Sequence, residues 1–221
     1  MGEVIVRTCC GRPRGAPGNE SVLIEPAGRP PVLAVGRELD RFDASELAQP
    51  DPAVAAHEAG HAIVHMALGG IAAGLRMRPN PIFQPADHLE GDAEIVELLA
   101  GRVAQAWFTR WQADLHPDGL VENIARVHQT IGGWCDECRA LRNLIARHRA
   151  KGDDFIRNEY RRLEAITNTI VRRPDIWRAI RQTADEIMVD GTLDGRRVHQ
   201  IADVHLDSEA RASIRRLMEG N

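Results

Sequence analysis

Lysine, aromatic residues and long apolar runs are all scarce in this chain of 221 residues. Lys151 is the only lysine, and Phe, Trp and Tyr together make up 4% of the sequence. The longest nearly apolar stretch, residues 62–75, is shorter than the roughly 20 residues that a membrane span needs. The N-terminal residues also lack the apolar stretch of a signal peptide. We therefore expect a cytoplasmic protein with no membrane partner.

An excess of basic charge and a phosphate-binding loop are absent as well. The formal net charge is −4, with 27% charged residues, which is ordinary for a globular protein and gives no reason to expect a nucleic-acid partner. No GxxxxGK[ST] pattern occurs, so we expect any activity of these residues to be independent of ATP.

The sequence has only four cysteines, Cys9, Cys10, Cys135 and Cys138. Adjacent cysteines rarely bind one metal ion together, and the second pair falls in a stretch with a helical pattern. The sequence therefore predicts thiols that are not paired with one another. A structural zinc site and a redox CxxC motif are the alternatives, as is an inhibitory role in which Cys9 or Cys10 caps a metal.

The segment Asp51 to Gly70 carries the strongest functional pattern, because it contains His57, Glu58 and His61 in HExxH spacing. Asp51 is a good N-cap, proline follows it at the first helical position, and Gly69-Gly70 ends the pattern. On a helix, two histidines four residues apart project from one face, and the glutamate lies on the flank of that face. This arrangement is typical of zinc hydrolases, in which the carboxylate serves as general base.

A core helix with two buried histidines that bind no metal is the alternative reading of this segment. Small residues at 59, 60 and 62 weigh against it, since they allow a second element to approach and supply a further ligand. His65 lies one turn further along the same stripe. A third histidine at that spacing cannot easily reach the same ion, so we expect it to be a core residue or to support a ligand.

Hydrophobic periodicity predicts a mainly α fold in which a small β element follows the HExxH helix. Residues 1–50 are rich in Pro and Gly and are expected to form a loosely organised arm, whereas residues 51–221 form a helical domain. Candidate strands lie at 4–6, 22–24, 32–35, 75–77 and 82–83. Candidate helices lie at 92–111, with Trp107 on the apolar stripe, and at 117–131, 136–150, 154–172, 175–189 and 208–218.

A catalytic zinc ion takes three protein ligands, so one more residue is required. Ala67 stands where a HExxHxxGxxH motif would have its third histidine, which excludes that type. A carboxylate from a later helix is the usual alternative, with histidine less common. The candidates are Glu90, Glu94, Glu97, Asp114, His116, Asp118 and Glu122.

The segments HEAGHAIVHMALG, IVELLAGRVAQAWF and NIARV occur in an order that resembles the protease domain of the FtsH-type ATP-dependent zinc metalloproteases. The stretch IVRRPDIWRAIRQTADEIMVDGTLDGRRVHQI resembles the closing part of that domain, and the likeness covers roughly residues 52–202. It implies a helical zinc endopeptidase fold whose third ligand is an aspartate ahead of Ile124-Ala125-Arg126. Asp118 fits this position best and Asp114 is the alternative. Gln105 stands where the family usually has glutamate, and the ATPase module and transmembrane segments of the family are missing from this sequence.

These observations predict a zinc endopeptidase with His57, His61 and Asp118 as Zn²⁺ ligands and Glu58 as the general base for a zinc-activated water. Its substrates would be peptides or unfolded proteins. A partner protein could deliver them, and the chain could act as a homo-oligomer. Two other functions remain open. One is a non-catalytic scaffold that retains the fold, and the other is a regulatory protease that cleaves a repressor, for which Glu94 or Glu97 would be the third ligand.

Overall fold

The computed structural model describes residues 7–8, 21–24, 32–35, 51–77, 81–110, 117–129 and 135–220. These residues are mainly helical, with two small sheets. The elements, in chain order, are β1 (Arg7–Thr8), β2 (Ser21–Ile24), β3 (Val32–Val35), α1 (Pro52–Ala67), β4 (Ala72–Arg76), β5 (Ile82–Pro85), α2 (Asp92–Thr109), α3 (Pro117–Gln129), α4 (Asp136–Arg147), α5 (Asp153–Val171), α6 (Pro174–Asp190), β6 (Thr192–Asp194), α7 (Gly195–His205) and α8 (Ser208–Glu219).

The chain divides into two compact units. The first consists of Met1–Gln49 and Leu115–Arg157, and the second of Pro50–Asp114 and Asn158–Asn221. In the first unit, β1, β2 and β3 form an antiparallel sheet in sequence order, and α3 packs against α4. The predicted division into an arm over residues 1–50 and one domain over residues 51–221 stays a prediction.

Helix α1 is the central element of the second unit. Its N-terminus is capped as the sequence predicts, since the Asp51 carboxylate accepts a hydrogen bond of 2.8 Å from the Ala53 N–H. Its C-terminus gives way to Gly69, whose φ of +100° favours glycine. Every side chain from residue 55 to residue 67 is buried, because α2, α6, α7 and the sheet pack around the helix.

Small residues let α1 and α2 cross closely. A Cβ atom on Gly60 would lie 2.6 Å from the Ala104 Cβ and 2.9 Å from the Ala100 carbonyl oxygen. A larger residue at this position would therefore push the two helices apart. Further along α2, buried Arg102 pairs with buried Glu164 of α5. A buried ion pair of this kind fixes helix positions, because removing one partner leaves a buried charge uncompensated.

The second sheet is antiparallel, with strand order β5-β4-β6. β4 is therefore its central strand, and β5 is an edge strand in the part of the chain that the structure describes. Asp87, just after β5, holds this edge against α1. Its Oδ1 atom accepts hydrogen bonds from the Ile71 N–H at 2.7 Å and from His65 Nε2 at 2.8 Å.

Most predicted elements of the described residues are confirmed. The strands at 22–24 and 32–35 and those on either side of residues 78–80 are present, whereas residues 4–6 lie outside the described residues. One expectation is wrong: Trp107 does not lie in the apolar stripe of α2, since 43% of its surface is exposed. The sequence prediction also missed β6 and α7, which lie between two predicted helices. None of the described helices is long and apolar enough to cross a membrane.

The Asp87 contacts predict a pH-dependent contribution to stability. Hydrogen bonds from Ile71 and then His65 hold the pKa of the Asp87 carboxyl below its ordinary value. Stability linked to a depressed carboxyl pKa is present above about pH 4 and is lost as the pH falls through the folded-state value. We expect Asp87→Asn to lower the free energy of unfolding by less than about 1 kcal/mol at neutral pH, because the Asp87 side chain is 40% exposed and solvent screens its contacts, and by a smaller amount at pH 3.

Urea unfolding at both pH values measures this difference, with Asp185→Asn, an exposed carboxylate of α6, as the control. A loss that stays equal or grows at pH 3 would contradict the assignment.

Candidate metal centre

Helix α1 carries the three residues of the HExxH motif at the centre of the second unit. The exposed fractions of His57, Glu58 and His61 are 9%, 6% and 5%. Buried polar groups require partners, so the contacts of these side chains determine their chemical state.

The two imidazole rings turn the same nitrogen atom toward one another. His57 Nε2 and His61 Nε2 are 3.0 Å apart, and the rings meet edge to face at an interplanar angle of 72°. The Nδ1 atoms contact residues of α2, one turn before and one turn after Gly101. His61 Nδ1 lies 2.8 Å from the Glu97 carbonyl oxygen, and His57 Nδ1 lies 3.3 Å from Gln105 Oε1.

These contacts fix the tautomers of the histidines. A backbone carbonyl only accepts hydrogen bonds, so His61 Nδ1 is the donor, and in the neutral ring Nε2 then carries the lone pair. A hydrogen bond from His57 Nδ1 to the Gln105 carbonyl oxygen, 3.3 Å away, corresponds to the same tautomer. Two lone pairs aimed at a shared space repel each other unless a cation or a proton lies between them.

A zinc ion fits this donor set. Metal-bound histidines usually donate their second ring N–H to a carbonyl or a carboxylate, which is the role of Glu97 and Gln105 here. Tetrahedral zinc with bonds of 2.0–2.1 Å sets its nitrogen ligands about 3.3 Å apart, close to the separation of the two Nε2 atoms. The histidine pair could therefore hold a metal ion with only a small adjustment.

Gly101 of α2 provides the space in front of the two nitrogen atoms. A Cβ atom at this position would lie 2.3 Å from His61 Nε2 and 2.7 Å from His57 Nε2. Any side chain there would collide with the ligand atoms. The glycine of the LAGR segment therefore has a steric role at the centre itself.

Glu58 points to the sheet rather than to α2. Its Oε2 atom accepts a hydrogen bond of 2.7 Å from the backbone N–H of Phe83 in β5. A carboxylate bonded to a backbone N–H is oriented, and it retains a second oxygen for proton transfer. The residue next to the first histidine is thus held by the edge strand.

His65 does not join the pair. It is 1% exposed, bonds to Asp87 through Nε2, and packs against the Phe83 ring at a centroid distance of 5.3 Å. The expectation that it is a core or supporting residue is therefore confirmed.

Within the second unit, the two Nε2 atoms of His57 and His61 are the ligand atoms that the structure brings together. The identity of the ion is open.

The predicted third ligands fall into three groups. Asp114 and His116 lie outside the described residues, and for Asp118 and Glu122 the structure describes the backbone of α3 but not the side chains. Glu90 is exposed and Glu94 is half-buried. The Glu97 carboxylate lies 3.4 Å from His61 Nδ1, on the side of the ring away from the other histidine. Asp118 as the ligand therefore stays a prediction.

The cysteines are only partly described. Cys9 and Cys10 lie outside the described residues, so an inhibitory role for them stays a prediction. Cys135 is the N-cap of α4 and its thiol lies 3.6 Å from Glu137 Oε2, while Cys138 is buried in the first turn. The predicted helix therefore contains Cys138 and begins directly after Cys135.

Comparison with models of protein families gives no match, and comparison with curated proteins gives none either. The resemblance to FtsH-type proteases therefore stays a prediction that rests on the sequence segments themselves. The histidine pair and its contacts to α2 stand independently of that resemblance.

The position of Gly101 predicts a selective loss of metal binding. In Gly101→Ala the added methyl group must displace both imidazoles, so we expect metal affinity to fall by at least about tenfold. Competition with a chromophoric chelator measures this affinity. Gly152→Ala is the matched control, because a Cβ atom there meets nothing within 4 Å. Equal affinities in the two variants would show that the imidazoles do not bind the metal through the space beside Gly101.

Proposed function

We propose that this chain is a zinc-dependent endopeptidase in which His57 and His61 bind the metal and Glu58 is the general base. The observation that carries the proposal is the arrangement of the two Nε2 atoms, 3.0 Å apart, with both Nδ1 atoms bonded to acceptors on α2. A buried carboxylate on the same helix completes the constellation.

Zinc is the metal that the donor chemistry favours. Imidazole nitrogen with carboxylate oxygen is typical of catalytic zinc sites, which keep one position open for water or substrate. When bound, zinc supplies Lewis-acid chemistry, lowering the pKa of a water molecule and polarising the scissile carbonyl.

The residues of the chain supply positioning and proton transfer. Glu97 and Gln105 keep the imidazoles in the metal-binding tautomer through their contacts with Nδ1. Glu58 takes a proton from the attacking water at its carboxylate and delivers it to the leaving amine. The hydrogen bond from Phe83 holds that carboxylate in one orientation, so no rearrangement is needed when the proton moves.

Peptides in extended conformation are the substrate class that fits this arrangement. β5 is an edge strand next to Glu58, and edge strands bind extended chains by backbone hydrogen bonding. Ile82 at the start of β5 is 40% exposed and offers an apolar contact. Peptides and unfolded protein segments can adopt the required conformation, whereas folded proteins cannot without a delivery partner.

The identity of the third ligand is a separate part of the proposal. The family resemblance favours Asp118, with Asp114 as the alternative. We expect the alanine variant of the true ligand to lose most of its zinc, because a directly bound residue contributes more affinity than its neighbours. Zinc content after dialysis, measured for Asp118→Ala and Asp114→Ala, decides between them. Wild-type zinc in both variants would contradict both assignments.

Glu58→Gln separates an enzyme from a non-catalytic scaffold. The amide oxygen can still accept the Phe83 N–H, so we expect the fold and the zinc content to be retained. Peptide cleavage should nevertheless fall by about 10²-fold to 10⁴-fold, since the proton acceptor is lost.

A cleavage assay on an unfolded protein or a peptide library, with zinc measured in parallel, tests this expectation. Glu209→Gln, an exposed glutamate of α8, is the control. Equal cleavage by wild type and Glu58→Gln would reject Glu58 as the base. No cleavage by the zinc-loaded wild type would favour the scaffold.

A further inference from the structure

A cluster of aromatic and arginine side chains lies on the surface of the second unit, where α2 ends and α6 begins. We call it the Trp–Arg patch, and it consists of Trp107, Phe108, Arg172, Trp177, Arg178 and Arg181. The chain has only four Trp, four Phe and one Tyr, so two tryptophans and a phenylalanine on one surface are a concentration of a scarce residue type.

Aromatic rings of the patch orient two of its three arginines. The Arg172 guanidinium lies 4.8 Å from the centroid of the Trp107 ring, and the Arg181 guanidinium lies 5.3 Å from that of Phe108. Trp107 and Trp177 meet edge to face at 6.3 Å. A guanidinium stacked on a ring has lost much of its freedom, yet its N–H groups still point outward along the edge of the plane.

The three arginines of the patch also differ from other arginines of the second unit, because they form no ion pair with a described carboxylate. Arg102, Arg162, Arg173, Arg197 and Arg211 each form an ion pair with a carboxylate. For Arg172, Arg178 and Arg181, no carboxylate of the described residues lies within ion-pair distance. The only acidic residue in 172–181 is Asp175, which is bonded to Arg173. None of the three guanidinium groups is therefore paired directly with a carboxylate of the described residues, while Asp185, Glu186 and Asp190 of α6 line the same surface hollow as Arg178 and Arg181.

We propose that the Trp–Arg patch is a docking surface for an acidic polypeptide segment of a partner protein. Fixed guanidinium groups bind carboxylates through paired N–H donors, and Trp and Arg are the residues most enriched at the energetic centres of protein interfaces. Single-stranded nucleic acid fits less well. Base stacking needs an open ring face, and one face of Trp107 is covered by Arg172.

The docking surface does not depend on the proposed peptidase activity. Its residues are separate from the histidine pair and from Glu58, so binding can be measured without a cleavage assay. An acidic segment bound to the Trp–Arg patch would hold the rest of its protein close to the second unit. Such a protein could be a delivery partner or a substrate.

The test is fluorescence polarisation of the full chain with a labelled peptide rich in Asp and Glu. A Gly/Ser peptide of the same length and a single-stranded oligonucleotide are the comparison probes. We expect the acidic peptide to bind more tightly than both, and its affinity to fall with salt, since the screening length shortens from about 10 Å at 0.1 M to about 3 Å at 1 M. Tighter binding of the oligonucleotide, or equal binding of the Gly/Ser peptide, would overturn the proposal.

Variants locate the binding site. Arg178→Glu with Arg181→Glu should weaken binding of the acidic peptide by at least about tenfold. Arg215→Glu with Arg216→Glu, the same charge change on exposed residues of α8, should weaken it by much less. Trp107→Leu should also reduce affinity while leaving the net charge unchanged. An equal loss of affinity in the two double variants would mean that peptide binding depends only on the net charge of the protein. The Trp–Arg patch would then not be the binding site. Circular dichroism confirms that each variant is folded.

Discussion

The close approach of α2 to α1 is the constraint on which the centre depends. Gly60 allows the backbones to meet, since even one methyl group there would lie 2.6 Å from Ala104. At this separation α2 can place Glu97 and Gln105 against the Nδ1 atoms of the two histidines. A wider crossing would leave buried imidazoles without these acceptors, and the ring tautomers would no longer be defined.

The sheet supplies the second half of the arrangement. Asp87 bonds to His65 of α1 and to the Ile71 N–H, which fixes the end of β5 relative to the helix. With that strand in place, the Phe83 N–H reaches Glu58. The two motif histidines of α1 therefore face α2, whereas Glu58 faces β5. The division of roles between metal binding and proton transfer follows from which element packs on each side of a single helix.

The local parts of this arrangement could be predicted from the sequence. Asp51 and Gly69 mark the ends of α1 because capping is a property of neighbouring residues, and the HExxH spacing indicates the shared face. Contacts between distant segments could not be predicted in the same way. The Phe83 bond to Glu58 involves a backbone N–H, which any residue but proline has, so no sequence signal marks it.

β6 and α7 could not be predicted from the sequence for physical reasons. β6 has only three residues, and it exists because it pairs with β4 rather than because its own residues favour a strand. α7 directly follows β6 within a Gly- and Arg-containing stretch whose apolar residues are few. The spacing of Trp107 predicts a place in the apolar stripe of α2, yet its ring lies on the surface in contact with Arg172.

The zinc content of the purified protein tests the central claim most directly. Elemental analysis before and after chelation should find about one zinc ion per chain that is removed by chelator and restored by added zinc. His57→Ala and His61→Ala should each abolish this occupancy, whereas His199→Ala, a histidine of α7, should not. Affinity should also fall as the pH is lowered, because protons compete with the metal for imidazole nitrogen. Full zinc occupancy in either motif variant, or a wild-type protein that takes up no metal, would contradict the account.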